Sequence, residues 1–433
     1  MRLAFLTHEP FYPPSGGGSA EAIYLAQELV RRGHRVHLFC PAFPDPDTVE
    51  KRFAGDHTPG SPGRANGSGT LAARPHASAE AGGGLSGGLK CHLFTTWQMG
   101  RYTSLRNFKY LGYPFFLQRM VERAARNLPF DLLLSQHAIS AVAAGRLKHR
   151  LRVPVVMNFL DYLTGFMETW PRYLAPRGLI RALEKFELSL PLRHQADGVL
   201  TVSDTLAGYF IRAGYPPERI RPIYYGYDPG LFPFSEATAG AKPPVVVMHG
   251  SFDHHHLGNI ALHALIRLVR ARPQVKVKFV GKQTPALLKF RQRAKATLPS
   301  LQIECTGFVP YGEIARHLSD ASLGIVPYEE STGTHCAFVA KIVEYLGVGL
   351  PVVSTPLNGA SRYFGAEPAV RFSEFNGASF GQLMLRWLEE PLELRRSLGR
   401  AASQRVQTEL NWSAISKKAI DFVEQIHQQQ SRA

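Results

Sequence analysis

The chain has 433 residues, 45% of them hydrophobic and 19% charged, with a formal net charge of +16. That length supplies core for two α/β domains, and no apolar run approaches the roughly 18 residues of a membrane span. Cys40, Cys91, Cys305 and Cys336 show neither zinc spacing nor a disulfide framework, and the N-terminus turns polar too early for a signal peptide. A reducing, cytoplasmic compartment is therefore expected. The excess of Lys and Arg favours anionic partners (lipid headgroups, diphosphates or nucleic acid) or is spread over solvated faces.

Residues 2–6 read as an apolar strand, followed by a loop through Gly16, Gly17 and Gly18 and a helix over about 20–32. Gly33 and His34 end that helix before a second strand at 35–40, giving a βαβ opening. Three glycines in a row let backbone approach a ligand with no Cβ in the way. The turn lacks dinucleotide spacing and follows two prolines, which argues against a Rossmann dehydrogenase. Residues 44–89 are dense in Gly, Ser, Pro, Ala and Asp, too poor in large apolar groups to offset chain entropy, so a largely disordered insertion or a mobile lid is expected. From Met99 to Leu128 basic residues interleave with aromatics such as Tyr110, Phe115 and Phe116. That mixture suits an anionic membrane interface, a core helix with solvated charges or, third, single-stranded nucleic acid.

Strands at 131–137 and 155–161 run into polar residues at their carboxyl ends, where open α/β sheets bind ligands. His137 and Asp161 are accordingly cleft candidates. A helix over 184–196 and a strand over 197–203 lead to a linker at 235–241, which separates a domain of residues 1–234 from one of residues 242–410. The second domain opens with a strand running through Gly250 into Ser251 and the triplet His254, His255 and His256. Consecutive histidines on a loop point apart, so a metal is not expected. Helices and strands then alternate, with Phe308 and Val309 in a turn after a strand at 301–306. Ser331 to His335, including Thr332, Gly333 and Thr334, reads as a small-residue loop able to bring N–H groups to a phosphate. A helix follows with Lys341 and Glu344 on one face, then a turn at Gly347–Gly349 and the strand Val352-Val353-Ser354. The fold class expected is α/β, two doubly wound Rossmann-like domains facing across a cleft.

Glu344, the small-residue turn and Pro351-Val352-Val353 resemble the signature of GT-B glycosyltransferases, in particular the retaining family 4, or group 1, enzymes. The resemblance covers nearly the whole chain apart from the insertion. It implies that Glu344 binds the donor ribose, that Gly16, Gly17 and Gly18 face the cleft near the transferred group, and that the Gly307–Pro310 backbone contacts the base. Gly226 and Asp228 match a family segment before the linker, with Tyr225 where Asn is usual, and residues 411–433 match a C-terminal helix crossing back to the first domain. Four departures stand out. Cys336 replaces a Glu that reaches the donor sugar, Leu160 replaces a His before Asp161, and Ser251 and His256 occupy the places of an Arg and a Lys that stabilise the departing diphosphate. A protonated His256, with Lys341, Lys282 or the helix end, would have to supply that charge.

The expected function is transfer of a hexose from a nucleotide diphosphate sugar, uridine ahead of guanosine, to a saccharide or lipid-linked acceptor with retention. Gly17, Asp161, His256 and Lys341 form the expected catalytic set. The donor set is Gly16, Gly18, Gly250, Ser251, Phe308, Val309, Thr332, Gly333, Thr334 and Glu344, with no metal and no cofactor beyond the donor. The expected location is cytoplasmic, at an anionic membrane face, with no nucleic-acid partner. An epimerase-like GT-B enzyme and a catalytically degenerate binding protein with a basic surface stay open.

Overall fold

The computed structural model describes residues 1–14, 16–54, 88–95, 106–236 and 238–432, without the side chains of 106–111 and 431–432. The first domain is built from β1 (Arg2–Thr7), α1 (Gly17–Arg31), β2 (Arg35–Pro41), α2 (Pro46–Ala54), β3 (Gly88–Phe94), α3 (Arg106–Ala125), β4 (Leu132–Gln136), α4 (His137–Leu151), β5 (Val155–Phe159), α5 (Leu163–Phe166), α6 (Arg177–Arg193), β6 (Gly198–Thr201), α7 (Asp204–Arg212) and β7 (Ile220–Pro222). Its strands lie parallel in the order β3-β2-β1-β4-β5-β6-β7. β4 and β5 are buried at every residue, as unbroken apolar runs must be when helices cover both faces of a sheet.

The second domain comprises β8 (Val245–His249), α8 (Asn259–Ala271), β9 (Lys276–Val280), α9 (Pro285–Thr297), β10 (Ile303–Cys305), α10 (Ile314–Ser319), β11 (Leu323–Val326), α11 (Thr332–Cys336), α12 (Ala340–Gly347), β12 (Val352–Ser354), α13 (Asn358–Phe364), β13 (Val370–Phe372), α14 (Gly377–Glu389) and α15 (Leu392–Glu409). Its parallel order is β10-β9-β8-β11-β12-β13. In both sheets the order reverses beside the first strand, so the carboxyl ends of β1, β4, β8 and β11 open toward one crevice.

Two local expectations change. Within residues 44–89, Pro46–Ala54 is helical and Gly88 already belongs to β3; residues 55–87 lie outside the described ones. Val49 is buried and Glu50 accepts from the Cys91 N–H at 2.7 Å and from Lys90 at 2.9 Å, so this short helix is held by contacts that average composition conceals. Ser331–His335 is not an open loop. Ser331 caps α11 by accepting from the Thr334 N–H while the Thr334 hydroxyl bonds back to the Ser331 N–H, a reciprocal capping box. Of the basic aromatic stretch, residues 99–105 lie outside the described ones; in α3 Leu117 and Val121 are buried while Phe115 and Phe116 are each 45% exposed.

A last helix, α16 (Trp412–Arg432), returns to the first domain. Arg32 reaches Asp421 and Glu424, each at 2.7 Å, and Gln430 donates to Asp197 at 3.0 Å. Gly198 in β6 is there because a Cβ would lie 2.9 Å from the Phe422 ring. The anchor is Trp412, which stacks on Tyr24 at 4.9 Å and meets Tyr225 edge-on at 4.9 Å. Trp412→Ala is expected to lower unfolding stability by about 3–5 kcal/mol, measured by denaturant titration. A loss under about 1 kcal/mol would mean that the crossing helix is not anchored there.

Candidate active site

The centre of the crevice is Glu344, on the second turn of α12 and 4% exposed. A buried carboxylate is tolerable only when its lone pairs are satisfied. The His249 Nε2, at the end of β8, lies 2.5 Å from Oε2, and the Tyr311 hydroxyl donates to Oε1 at 2.5 Å. Tyr225, from the first domain, puts its hydroxyl 2.7 Å from that of Tyr311 and 3.4 Å from Oε1. Burial pushes the Glu344 carboxyl up, but His249, the Tyr311 bond and Lys341 together hold it below its ordinary value, so it is ionised at neutral pH.

Lys341 lies one turn earlier on α12. Its ammonium donates to the Tyr328 hydroxyl at 2.8 Å, and burial lowers it to about 8 against the opposing pull of Glu344, Asp161 and Asp253. Gly250, at φ 103°, has room for Lys341 where a Cβ would come within 3.0 Å of Cε. Across the crevice, Asp161 follows β5. Its carboxyl is pushed up to about 7 by burial and by the charges of Glu9 and Glu187, while Lys341 pulls it down. Glu21 is also buried, takes a 2.7 Å bond from Asn158, and is raised to about 8 by burial. The first-domain wall is thus rich in carboxyls that hold protons near neutrality, opposite one lysine.

The glycine loop meets this wall. Gly16 precedes α1 with open space where its Cβ would be, whereas a Cβ on Gly17 would lie 2.8 Å from the Tyr225 ring and one on Gly18 2.7 Å from Glu9. His137, at φ 66°, is buried with its Nε2 3.9 Å from Glu9, and burial lowers its basicity.

Other candidates surround this centre, His256 with its ring 4.6 Å from that of Tyr328. His256 is buried, and its Nδ1 accepts from the Asp253 N–H at 3.0 Å. Burial and the charges of His255 and Lys341 hold it neutral, so the expectation that it brings positive charge does not hold at neutral pH. Ser251 and Phe308 are exposed, the latter by 67%, and Val309 is half-buried. In α11, Thr332 donates through both N–H and hydroxyl to Glu168 of the first domain at 2.9 and 2.5 Å. Gly333 abuts Gly165 so closely that a Cβ on it would lie 2.3 Å from the Phe166 nitrogen. Thr334 is committed to the helix cap. Cys336 is fully buried and its carbonyl accepts from Ser203 of the first domain at 2.5 Å.

A family model described as a glycosyl transferase 4-like domain matches residues 16–226, and one for glycosyl transferases group 1 matches residues 234–405. The chain belongs to the GT-B glycosyltransferases. Among curated relatives of this glycosyltransferase is the putative colanic acid biosynthesis glycosyltransferase WcaL of Escherichia coli K12, 21% identical over 239 residues, 54% of this chain and 58% of that protein. The match thus spans under two thirds of that relative. Among solved structures, sucrose-phosphate synthase from Thermosynechococcus elongatus is similar with a TM-score of 0.72 and 17% identity, covering 98% of both chains. Anabaena HepE, solved in complex with UDP-glucose, is similar with a TM-score of 0.65 and 17% identity, covering 100% of both chains.

Sequence reasoning about this glycosyltransferase missed His249, Tyr311 and Tyr328, the polar partners of Glu344 and Lys341. His249 was findable, since a polar residue ends a buried parallel strand there, as Asp161 does after β5. The tyrosines carried no signal, because buried aromatics at such places read as core. The Asp161 carboxyl gives a test. Folding raises it from 3.8 to about 7, so between those values the native state holds a proton that the unfolded chain lacks, and stability falls as pH rises across that window. Asp161→Asn is expected to remove this decline and to stabilise the protein above pH 7 by on the order of 2–4 kcal/mol. Parallel pH profiles of melting for parent and variant would contradict the assignment.

Proposed function

We propose that the protein transfers a hexose from a nucleotide diphosphate sugar, uridine favoured over guanosine, to a saccharide or lipid-linked acceptor, with retention of configuration as in family 4. The observation that carries the reading is the ionised Glu344 carboxylate, bonded by the hydroxyl of Tyr311 and approached by that of Tyr225. Two hydroxyls 2.7 Å apart converging on one carboxylate oxygen present the donor pattern of a ribose cis-diol. A nucleotide would replace the Tyr225 hydroxyl as the domains part, keeping Glu344 satisfied throughout.

Lys341, largely protonated below about pH 8, is the cation that faces the leaving diphosphate, and this chemistry calls for no metal. Asp161 lines the acceptor side, where a group titrating at about 7 can accept or donate hydrogen bonds to sugar hydroxyls. HepE, whose solved complex holds UDP-glucose, supports uridine, and the colanic acid biosynthesis relative supports a role in polysaccharide assembly.

A second reading, a degenerate binding protein, is favoured by one group of observations: neutral His256, exposed Ser251 and buried Cys336 stand at the three places where family members carry charge. Thermal-shift titration with uridine, guanosine and adenosine diphosphates separates the two. Stabilisation by one nucleotide is expected; no shift with any of them would favour the degenerate protein. Glu344→Ala is expected to weaken UDP binding by about 1.5–3 kcal/mol in a folded variant, and an unchanged Kd would sink the ribose assignment. Tyr225→Asn, which removes the competing ring, is expected to tighten UDP binding about tenfold in calorimetry. A weaker complex would show that Tyr225 helps to hold the nucleotide.

A further inference from the structure

Eleven large apolar side chains are conspicuously exposed among the described residues, and five of them fall in one short stretch between Tyr173 and Leu192. Tyr173 is 80% exposed and Leu174 53%, in the turn before α6; Leu179 and Phe186 then stand two turns apart on that helix, 46% and 39% exposed. The concentration is well beyond the scattered single apolar groups normal on a surface.

The charges around them are sorted by sign. Residues 171–193 contain five basic side chains and two acidic ones. Both acids turn inward: Glu187 accepts from Thr164 and the Leu163 N–H, and Glu184 from the Tyr162 hydroxyl. Arg177, Arg181 and Lys185 are exposed among the apolar groups, and Arg193 lies 5.0 Å above the Phe186 ring. Water therefore meets a helix face that is cationic and apolar together, with the anions beneath it.

We propose that α6 and the Tyr173-Leu174 turn form the surface by which the protein lies on an anionic lipid bilayer. The helix of 17 residues, about 25 Å long, would rest in the headgroup plane, its leucines and rings at the acyl boundary and its cations on phosphates. A second copy of this chain fits poorly, because it would bring cations against cations. Nucleic acid would engage the cations but leave Leu174 and Leu179 in water. No helix among the described residues is long and apolar enough to cross a membrane, so attachment here is lateral. The surface also adjoins the crevice, since Glu168, which bonds Thr332 across it, lies five residues before Tyr173. The link to a lipid-linked acceptor rests on the function proposed above; the attachment itself does not.

The experiment is co-sedimentation of the full chain with phosphatidylcholine vesicles, with and without phosphatidylglycerol, beside UDP binding and thermal melting of the same samples. The expected result is an affinity about tenfold or more higher for the anionic vesicles, falling with added salt. The pairs Leu179→Ser with Phe186→Ser, and Arg181→Glu with Lys185→Glu, should each abolish most of that gain at an unchanged melting temperature. Leu394→Ser, an exposed apolar residue of the second domain, should not alter it. Equal affinity for neutral and anionic vesicles, or undiminished binding by both pairs, overturns the proposal. So does binding to single-stranded DNA that exceeds vesicle binding and is lost in the same variants. Vesicle binding without UDP binding would uphold the surface and overturn the transferase reading, and UDP binding without vesicle binding would do the reverse.

Discussion

A carboxylate buried at the meeting of two domains constrains everything near it. Glu344 is held ionised, and an ionised group with 4% exposure has to be bonded on both oxygens. Its partners come from three separate pieces of chain: His249 from the end of β8, Tyr311 from the turn after β10, and Tyr225 from the segment before the linker. Each partner fixes the element that carries it. The relative setting of α12, β8 and the first domain therefore follows in large part from the need to keep one charge hydrogen-bonded.

The same need explains why the glycine loop takes its form. Tyr225 extends toward Glu344 with its ring against Gly17, where a side chain would collide with it. Trp412 meets that ring edge-on, and Gly226 is required because a Cβ would lie 2.4 Å from the Trp412 ring. The returning helix α16, the segment before the linker, the glycine loop and the Glu344 carboxylate thus form one packed series. Packed rings connect the start of the returning helix to the residues around Glu344.

The architecture was legible because it depends on periodicity. Buried parallel strands such as Val245–His249 and Val155–Phe159 announce themselves as short apolar runs between turns, and that pattern alone implies two doubly wound sheets. Residues joined by backbone geometry were legible too: Lys341 and Glu344 share a helix face by spacing, and Asp161 ends a strand. What stayed hidden depends on burial and on distant partners. His256 reads as a spare cation until burial, with the charges of His255 and Lys341, is found to hold it neutral. Thr332, Gly333 and Thr334 read as a phosphate loop until Glu168 and the helix cap are found to engage them. The helix at Pro46–Ala54 disappeared into the composition of its surroundings, because two side-chain contacts, those of Val49 and Glu50, decide it.

Gly165 and Gly333 meet across the crevice backbone to backbone, with no side chain between them. Such a contact acts as a hard stop, since peptide units do not compress and have no rotamers to change. The gap left between Lys341 and the first-domain wall is then gauged by main chain, and refolding a side chain on either wall does not widen it. Any ligand held in that gap would accordingly meet a limit on its bulk that is set by main chain, and a single methyl group at either glycine would reset that limit.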